Sequence, residues 1–175
     1  MTNSINNQCA ILKENANGVQ VWAKSYSTGK QCLTIKLDPS EKKAYLVSNH
    51  SVLTLGVVDC SDGAIDTFVQ INDSTLTVSQ ENPGIVISPD STKIILIWDS
   101  SVTLSIGYVC TCDAVSFSWG WVNLISTPSY FDAPAASNTD YFLVIKQLNS
   151  HFVYASLFSI SPNSQNWVKA IFGKG

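Results

Sequence analysis

The sequence predicts an all-β chain assembled from tandem copies of one small antiparallel sheet. Three observations predict it. No useful stretch carries apolar residues at a 3.6-residue period, short alternating runs are separated by turn dipeptides, and similar strings return about every fifty residues.

The repeating unit is set by NGVQVWAKSYSTG, Asn17 to Gly29. Asn17-Gly18 supplies the positive φ angles of a tight turn, and Val19, Val21 and Ala23 alternate with Gln20, Trp22 and Lys24 as in a strand. Related strings recur at Ser61–Ile71, Ala114–Ser126 and Asn163–Gly173. Equating Trp22, Phe68, Trp119 and Trp167 as aromatic anchors gives spacings of 46, 51 and 48 residues. A second register is tighter, since SVLTLGVVDC, SVTLSIGYVC and HFVYASLFSI begin at Ser51, Ser101 and His151, fifty residues apart. It makes Cys60 and Cys110 repeat-equivalent. In a third, Leu37–Ser48 matches Ile87–Trp98 with Pro39 and Pro89 aligned, and Asn138–Lys146 is a looser copy.

Taken in order, Met1–Gln8 is polar and aperiodic, a tail or a leader to the first strand. Cys9–Leu12 and Val19–Tyr26 form a hairpin that must dock on later strands, because a lone hairpin is marginal in water. Gln31–Leu37, Ala44–Ser48, Val52–Asp59 and Ala64–Ile71 make the first four-stranded unit. The second runs through Thr75–Val78 or Ile85–Ser88, then Ile94–Trp98, Val102–Cys112 and Val115–Ile125. The third has an ill-defined inner segment, Thr127–Ser137, followed by Tyr141–Lys146, Phe152–Ile160 and Trp167–Phe172. Asn82-Pro83-Gly84 and Pro128–Ala136 are the linker-like places. A single domain over residues 1–175 is expected, of about three and a half repeats, with a Greek-key β-sandwich as the alternative.

At 175 residues the chain is long enough to bury about 70% of its unfolded surface. Apolar residues make up 45% and charged residues 13%, which describes an ordered globular protein, and no apolar run reaches membrane-span length. The first residues lack a signal-peptide pattern. Net charge is −3 and all ten basic residues are lysines. Without arginine forks or a basic cluster, nucleic acid is not an expected partner.

The pieces SPDSTKIILIW (Ser88–Trp98), PSEKKAYLVSNHSVLTLGVVDCSDG (Pro39–Gly63) and GVQVWAKSYSTG (Gly18–Gly29) resemble β-propeller repeat proteins with YVTN/SBBP-type blades. The resemblance runs from about Cys9 to the C-terminus, with Ser91 where that family prefers Gly. It implies four-stranded blades stacked side by side and brings no catalytic residues with it. Three and a half blades are fewer than the four to eight that close a ring. The outcomes are an unusual small propeller, a fragment of a larger propeller, or an open array whose ends pair with other chains; a fragment or an assembling subunit is expected.

The chemistry-bearing residues are few. His50 and His151 sit about two repeats apart without a metal-ligand motif. Cys110-Thr111-Cys112 puts two thiols on one strand, and Cys9, Cys32 and Cys60 complete an odd set without CxxC; a disulfide and buried free thiols remain equal readings. Asp59, Asp62 and Asp66 surround Gly63 as a cation site would, or as an ordinary turn. Trp119-Gly120-Trp121 suits either a sugar platform or packing between blades. Asn49-His50-Ser51 and Asn72-Asp73-Ser74 are glycosylation acceptors if the chain is secreted. No catalytic, cofactor-binding or metal residue is assigned and no cofactor is expected. The function expected is a non-catalytic structural or interaction module, extracellular or at a cell surface, meeting protein partners or its own copies through edge strands and possessing no membrane span. The alternatives are a portion of a propeller enzyme, lactonase- or quinoprotein-like, or a carbohydrate-binding propeller with a glycan partner.

Overall fold

The computed structural model describes residues 2–5, 8–26, 31–49, 53–70, 80–100, 107–125, 129–147, 153–160 and 164–172. Every regular element among them is a strand. The first sheet holds β1 (Thr2–Ile5), β2 (Gln8–Glu14) and β3 (Gln20–Tyr26), and the second holds β4 (Gln31–Leu37), β5 (Lys43–Asn49), β6 (Leu53–Asp59) and β7 (Ile65–Gln70). The third comprises β8 (Gln80–Ile87), β9 (Lys93–Ser100), β10 (Gly107–Asp113) and β11 (Trp119–Ile125). The fourth comprises β12 (Ser129–Ala136), β13 (Asp140–Gln147), β14 (Val153–Ser159) and β15 (Ser164–Phe172). All four are antiparallel meanders. They fall into two compact units, Met1–Val78 and Ser79–Gly175, of two sheets each.

Several expected boundaries move. Thr2–Ile5 is not a tail but β1, paired with β2 from Thr2↔Ile11 to Ile5↔Gln8. Asn82-Pro83-Gly84 is not a linker; it lies inside β8, where the register slips between Glu81 and Gly84. Pro134 also lies in a slip, that of β12 from Asp132 to Ala135, so Pro128–Ala136 is mostly strand. Both prolines sit on an edge strand at an irregularity, the position where a missing N–H costs the ladder nothing.

The turns reveal the repeat. Asp38 N donates to Lys43 O (3.0 Å) and Ser88 N donates to Lys93 O (2.9 Å), and within each turn a non-glycine residue takes positive φ, Glu41 at 57° and Ser91 at 58°. That conformation is why Gly is the usual residue where Ser91 stands. In the last hairpins Asp59 N donates to Ala64 O and Asp113 N to Ser118 O, with Gly63 (φ 74°) and Phe117 (φ 53°) equivalent. Asn15 N donating to Val19 O is the same closure in the first sheet.

These bonds correct two equivalences. Counting from the turns, Lys13↔Trp22, Val57↔Thr67, Thr111↔Trp121 and Leu157↔Trp167 are one cross-strand position. Trp22, Thr67, Trp121 and Trp167 are therefore equivalent, whereas Phe68 lies one residue beyond the position and Trp119 two before it. Cys110, likewise, is the counterpart of Gly56, not of Cys60. The connection between β9 and β10 spans 101–106 where that between β5 and β6 spans 50–52, so a constant spacing of fifty cannot hold across it.

In each unit a cluster of buried side chains lies between the two sheets. In the first unit Cys9, Ile11 and Tyr26 of the leading sheet meet Ala44, Leu46, Val58 and Cys60 of the following one, with Trp22, Cys32, Ile35 and Ile65 around them. In the second, Val86, Ile95, Ile97 and Val109 meet Tyr141, Leu143, Phe158 and Ile160. Under the turn-based register Ala44, Leu46, Val58 and Cys60 correspond to Tyr141, Leu143, Phe158 and Ile160. The same interface is built twice, with a leucine kept at Leu46 and Leu143 and different side chains at the other three positions.

Candidate functional site

A groove of about 570 Å³ opens between the sheets of the first unit. β2 contributes Ile11 and Lys13, β3 contributes Trp22, β4 contributes Ile35 and Leu37, and Ala44 and Cys60 form the far side. Strand alternation puts Ile11 and Lys13 on one face, so an apolar wall runs out to a charged rim of Lys13, Glu14, Lys36 and Glu41. Two polar tips converge on a single acceptor. Lys13 Nζ donates to Cys60 O at 2.7 Å and Trp22 Nε1 donates to the same oxygen at 3.1 Å. With both tips held there, the indole and the lysine methylenes remain to line the groove.

The turn beneath it is closely packed. Tyr26 Oη donates to Gly63 O at 2.5 Å, and a Cβ added to Gly63 would stand 2.8 Å from both Trp22 Cε3 and Lys24 Cγ. Burial raises the Tyr26 hydroxyl above its ordinary pKa, with Asp62 adding to the effect. Burial also raises the Cys60 thiol, so it is protonated and a poor nucleophile near neutral pH.

Two of the three aspartates are spent on their turn and the third pairs with a lysine. Asp59 accepts from Ser61 N (2.7 Å), Asp62 accepts from Ala64 N (2.7 Å), and Asp66 lies 3.7 Å from Lys43 Nζ. Among the described residues no group of three His, Cys, Asp or Glu could hold a metal ion. Ser61 holds the Asp59 carboxyl below its usual range.

Cys9 and Cys32 form a disulfide across the two sheets of the first unit, with Cα atoms 5.6 Å apart. Cys60, Cys110 and Cys112 are buried and free. Burial pushes Cys110 well up and Cys112 to about 12. His50, His151 and Asn72-Asp73-Ser74 lie outside the described residues, and Asn49 is the last residue of β5. Trp119 and Trp121 open β11, but only Trp121 shares the register of Trp22. The groove itself went unpredicted. Its signal lay in the repeats: Ala44-Tyr45-Leu46-Val47 aligns with Tyr141-Phe142-Leu143-Val144, an alanine where the later copy has a ring.

The opposite face of the first sheet carries Ala10, Leu12, Val21, Ala23 and Ser25. Val21 is 52% exposed, and a shallow groove of about 470 Å³ lies there. The residues equivalent to Leu12 are Gly56, Cys110 and Ser156, and all three are buried. By the same register β1, β2 and β3 match the second to fourth strands of the other sheets. Among the described residues, the first sheet has no strand matching β4, β8 and β12.

No protein-family model matches the chain, and no curated protein matches it. Solved structures do match in fold. Hydrazine synthase from Kuenenia stuttgartiensis superposes with a TM-score of 0.66 at 13% identity over 94% of this chain and 47% of its own. The Dos1 propeller gives 0.64 at 13% identity over 94% and 42%, and the β-propeller domain of the trilobed protease from Pyrococcus furiosus gives 0.59 at 12% over 99% and 52%. The chain therefore has the β-propeller fold and spans about half the length of these structures.

Proposed function

We propose that this chain is a non-catalytic structural and interaction module of an extracellular or cell-surface assembly, docking through the open side of its first sheet. One observation carries the reading. The face around Leu12 is the one that the other sheets bury, and beside it the edge of β1 has no further strand among the described residues. An apolar face and a free strand edge together invite a neighbouring sheet.

The neighbour expected first is a second copy. The chain spans 47%, 42% and 52% of the propeller-fold chains it resembles, so two copies approximate the length of one such chain. The Cys9–Cys32 bridge supports an oxidising compartment. The aspartates around Gly63, used up in turn hydrogen bonds and one ion pair, favour binding over bond-breaking. Light scattering coupled to size-exclusion chromatography tests the reading, with thiol counting on the same sample. A mass of twice 19.0 kDa or more, with two of five cysteines oxidised, is expected. Leu12→Glu should return the mass to the monomer. A wild-type monomer at all accessible concentrations sinks the proposal.

A further inference from the structure

The interface of the second unit shows what the groove of the first unit lacks. Tyr141 and Phe158 pair across β13 and β14, their rings stacked with centroids 4.9 Å apart and planes 3° from parallel. Their counterparts are Ala44 and Val58, paired in the same register across β5 and β6, and Ile160 is replaced by Cys60. Leu37 could have filled the space from the neighbouring strand, yet it is 52% exposed. The end of the 570 Å³ groove that Ala44 and Cys60 line lies where the second unit places a ring. Trp22, half-buried beside it, offers an indole to a guest.

We infer that the Ala44–Cys60 end of this groove is a socket for one six-membered aromatic ring, the side chain of a Tyr or Phe on a partner protein, whose flanking backbone lies along the rest of the groove. The inference rests on the interaction-module reading, and deepens it by naming what the partner inserts. The rim favours a peptide-borne ring over a charged small molecule, because Lys13 and Lys36 are balanced by Glu14 and Glu41. Net neutrality with both signs present suits peptide N–H and C=O groups.

The test uses the full chain, following the Trp22 indole N–H and the Ala44 methyl by NMR. The probes are p-cresol, N-acetyl-tyrosinamide and N-acetyl-alaninamide. The first two should shift both signals saturably, with a dissociation constant on the order of 1 mM for so few atoms, and the third should not. Ala44→Phe fills the socket from within and should abolish both titrations. If that variant does not fold, Ala44→Val should weaken them at least threefold. No saturable shift with either aromatic probe, or unchanged affinity in the Ala44 variant, overturns the socket. Binding of p-cresol with exclusion of the capped tyrosine overturns the assignment to a protein partner. None of these outcomes depends on native mass, so the assembly reading and the socket can fail separately.

Discussion

The two units solve one packing problem in different ways. The second fills its interface with rings, Tyr141 on Phe158, and needs no cross-link among its described residues. The first puts Ala44, Val58 and Cys60 in the corresponding places, leaves a groove, and ties its sheets with Cys9–Cys32. Dense packing stabilises through contacts in the folded state, whereas a bridge acts mainly by restricting the unfolded chain. Only the second device leaves room for a guest.

The largest expected effect is at the stack. Phe158→Ala should cost roughly 4 kcal/mol, against roughly 2 kcal/mol for Val58→Ala at the matching site, both read from urea unfolding. Equal costs would mean that the two interfaces are not counterparts. Next comes the bridge. Replacing both Cys9 and Cys32 by serine should remove roughly 3 kcal/mol, given a sequence separation of 23, and hydrogen exchange should show the loss in the first unit alone.

A smaller contrast separates the equivalent turns. Gly63→Ala should cost about 2 kcal/mol, since φ is 74° and the new Cβ meets Trp22, while Phe117→Gly should change stability by less than about 1 kcal/mol. Thermal melts of both variants check the pair. Ser91→Gly relieves the same left-handed strain and should stabilise by about 0.5 kcal/mol.

The smallest effect is electrostatic. Asp113 accepts from Ser116 N (2.8 Å) and Val115 N (3.0 Å) and pairs with Lys93 Nζ (3.0 Å), which together hold its carboxyl well below the usual range. A carboxyl depressed in the folded state stabilises above its unfolded pKa of about 3.9 and loses that contribution as pH falls through the folded value. Acid titration should therefore lower stability below about pH 4, and Asp113→Asn should flatten that part of the curve. An unchanged profile would show the carboxylate to be as well solvated in the folded protein as in the unfolded one.

Much of the fold could be read from the residues. Alternation in Gln31–Leu37, turn dipeptides such as Asn17-Gly18, and Pro39 aligned with Pro89 all act locally, and the strands they implied are present. Misreadings came where local and longer-range signals compete. Pro83 and Pro134 suggest linkers, but an edge strand tolerates them at a bulge. The polar segment Thr2–Ile5 has no apolar pattern of its own and becomes a strand because the edge of β2 offers it hydrogen bonds. Aromatic anchors matched by residue type alone drift by one or two positions, since turns and connections differ in length from repeat to repeat.

Sequence alone determined that this protein is a series of small antiparallel sheets with the β-propeller period, because strand alternation and turn chemistry are properties of a few neighbouring residues. Tertiary structure alone decided which residues are true counterparts, that Cys32 meets Cys9, and that the first unit keeps a groove where the second keeps a ring. Those outcomes depend on which side chains hydrogen-bond ladders bring face to face across two sheets, and no short window of the chain contains both sides of an interface.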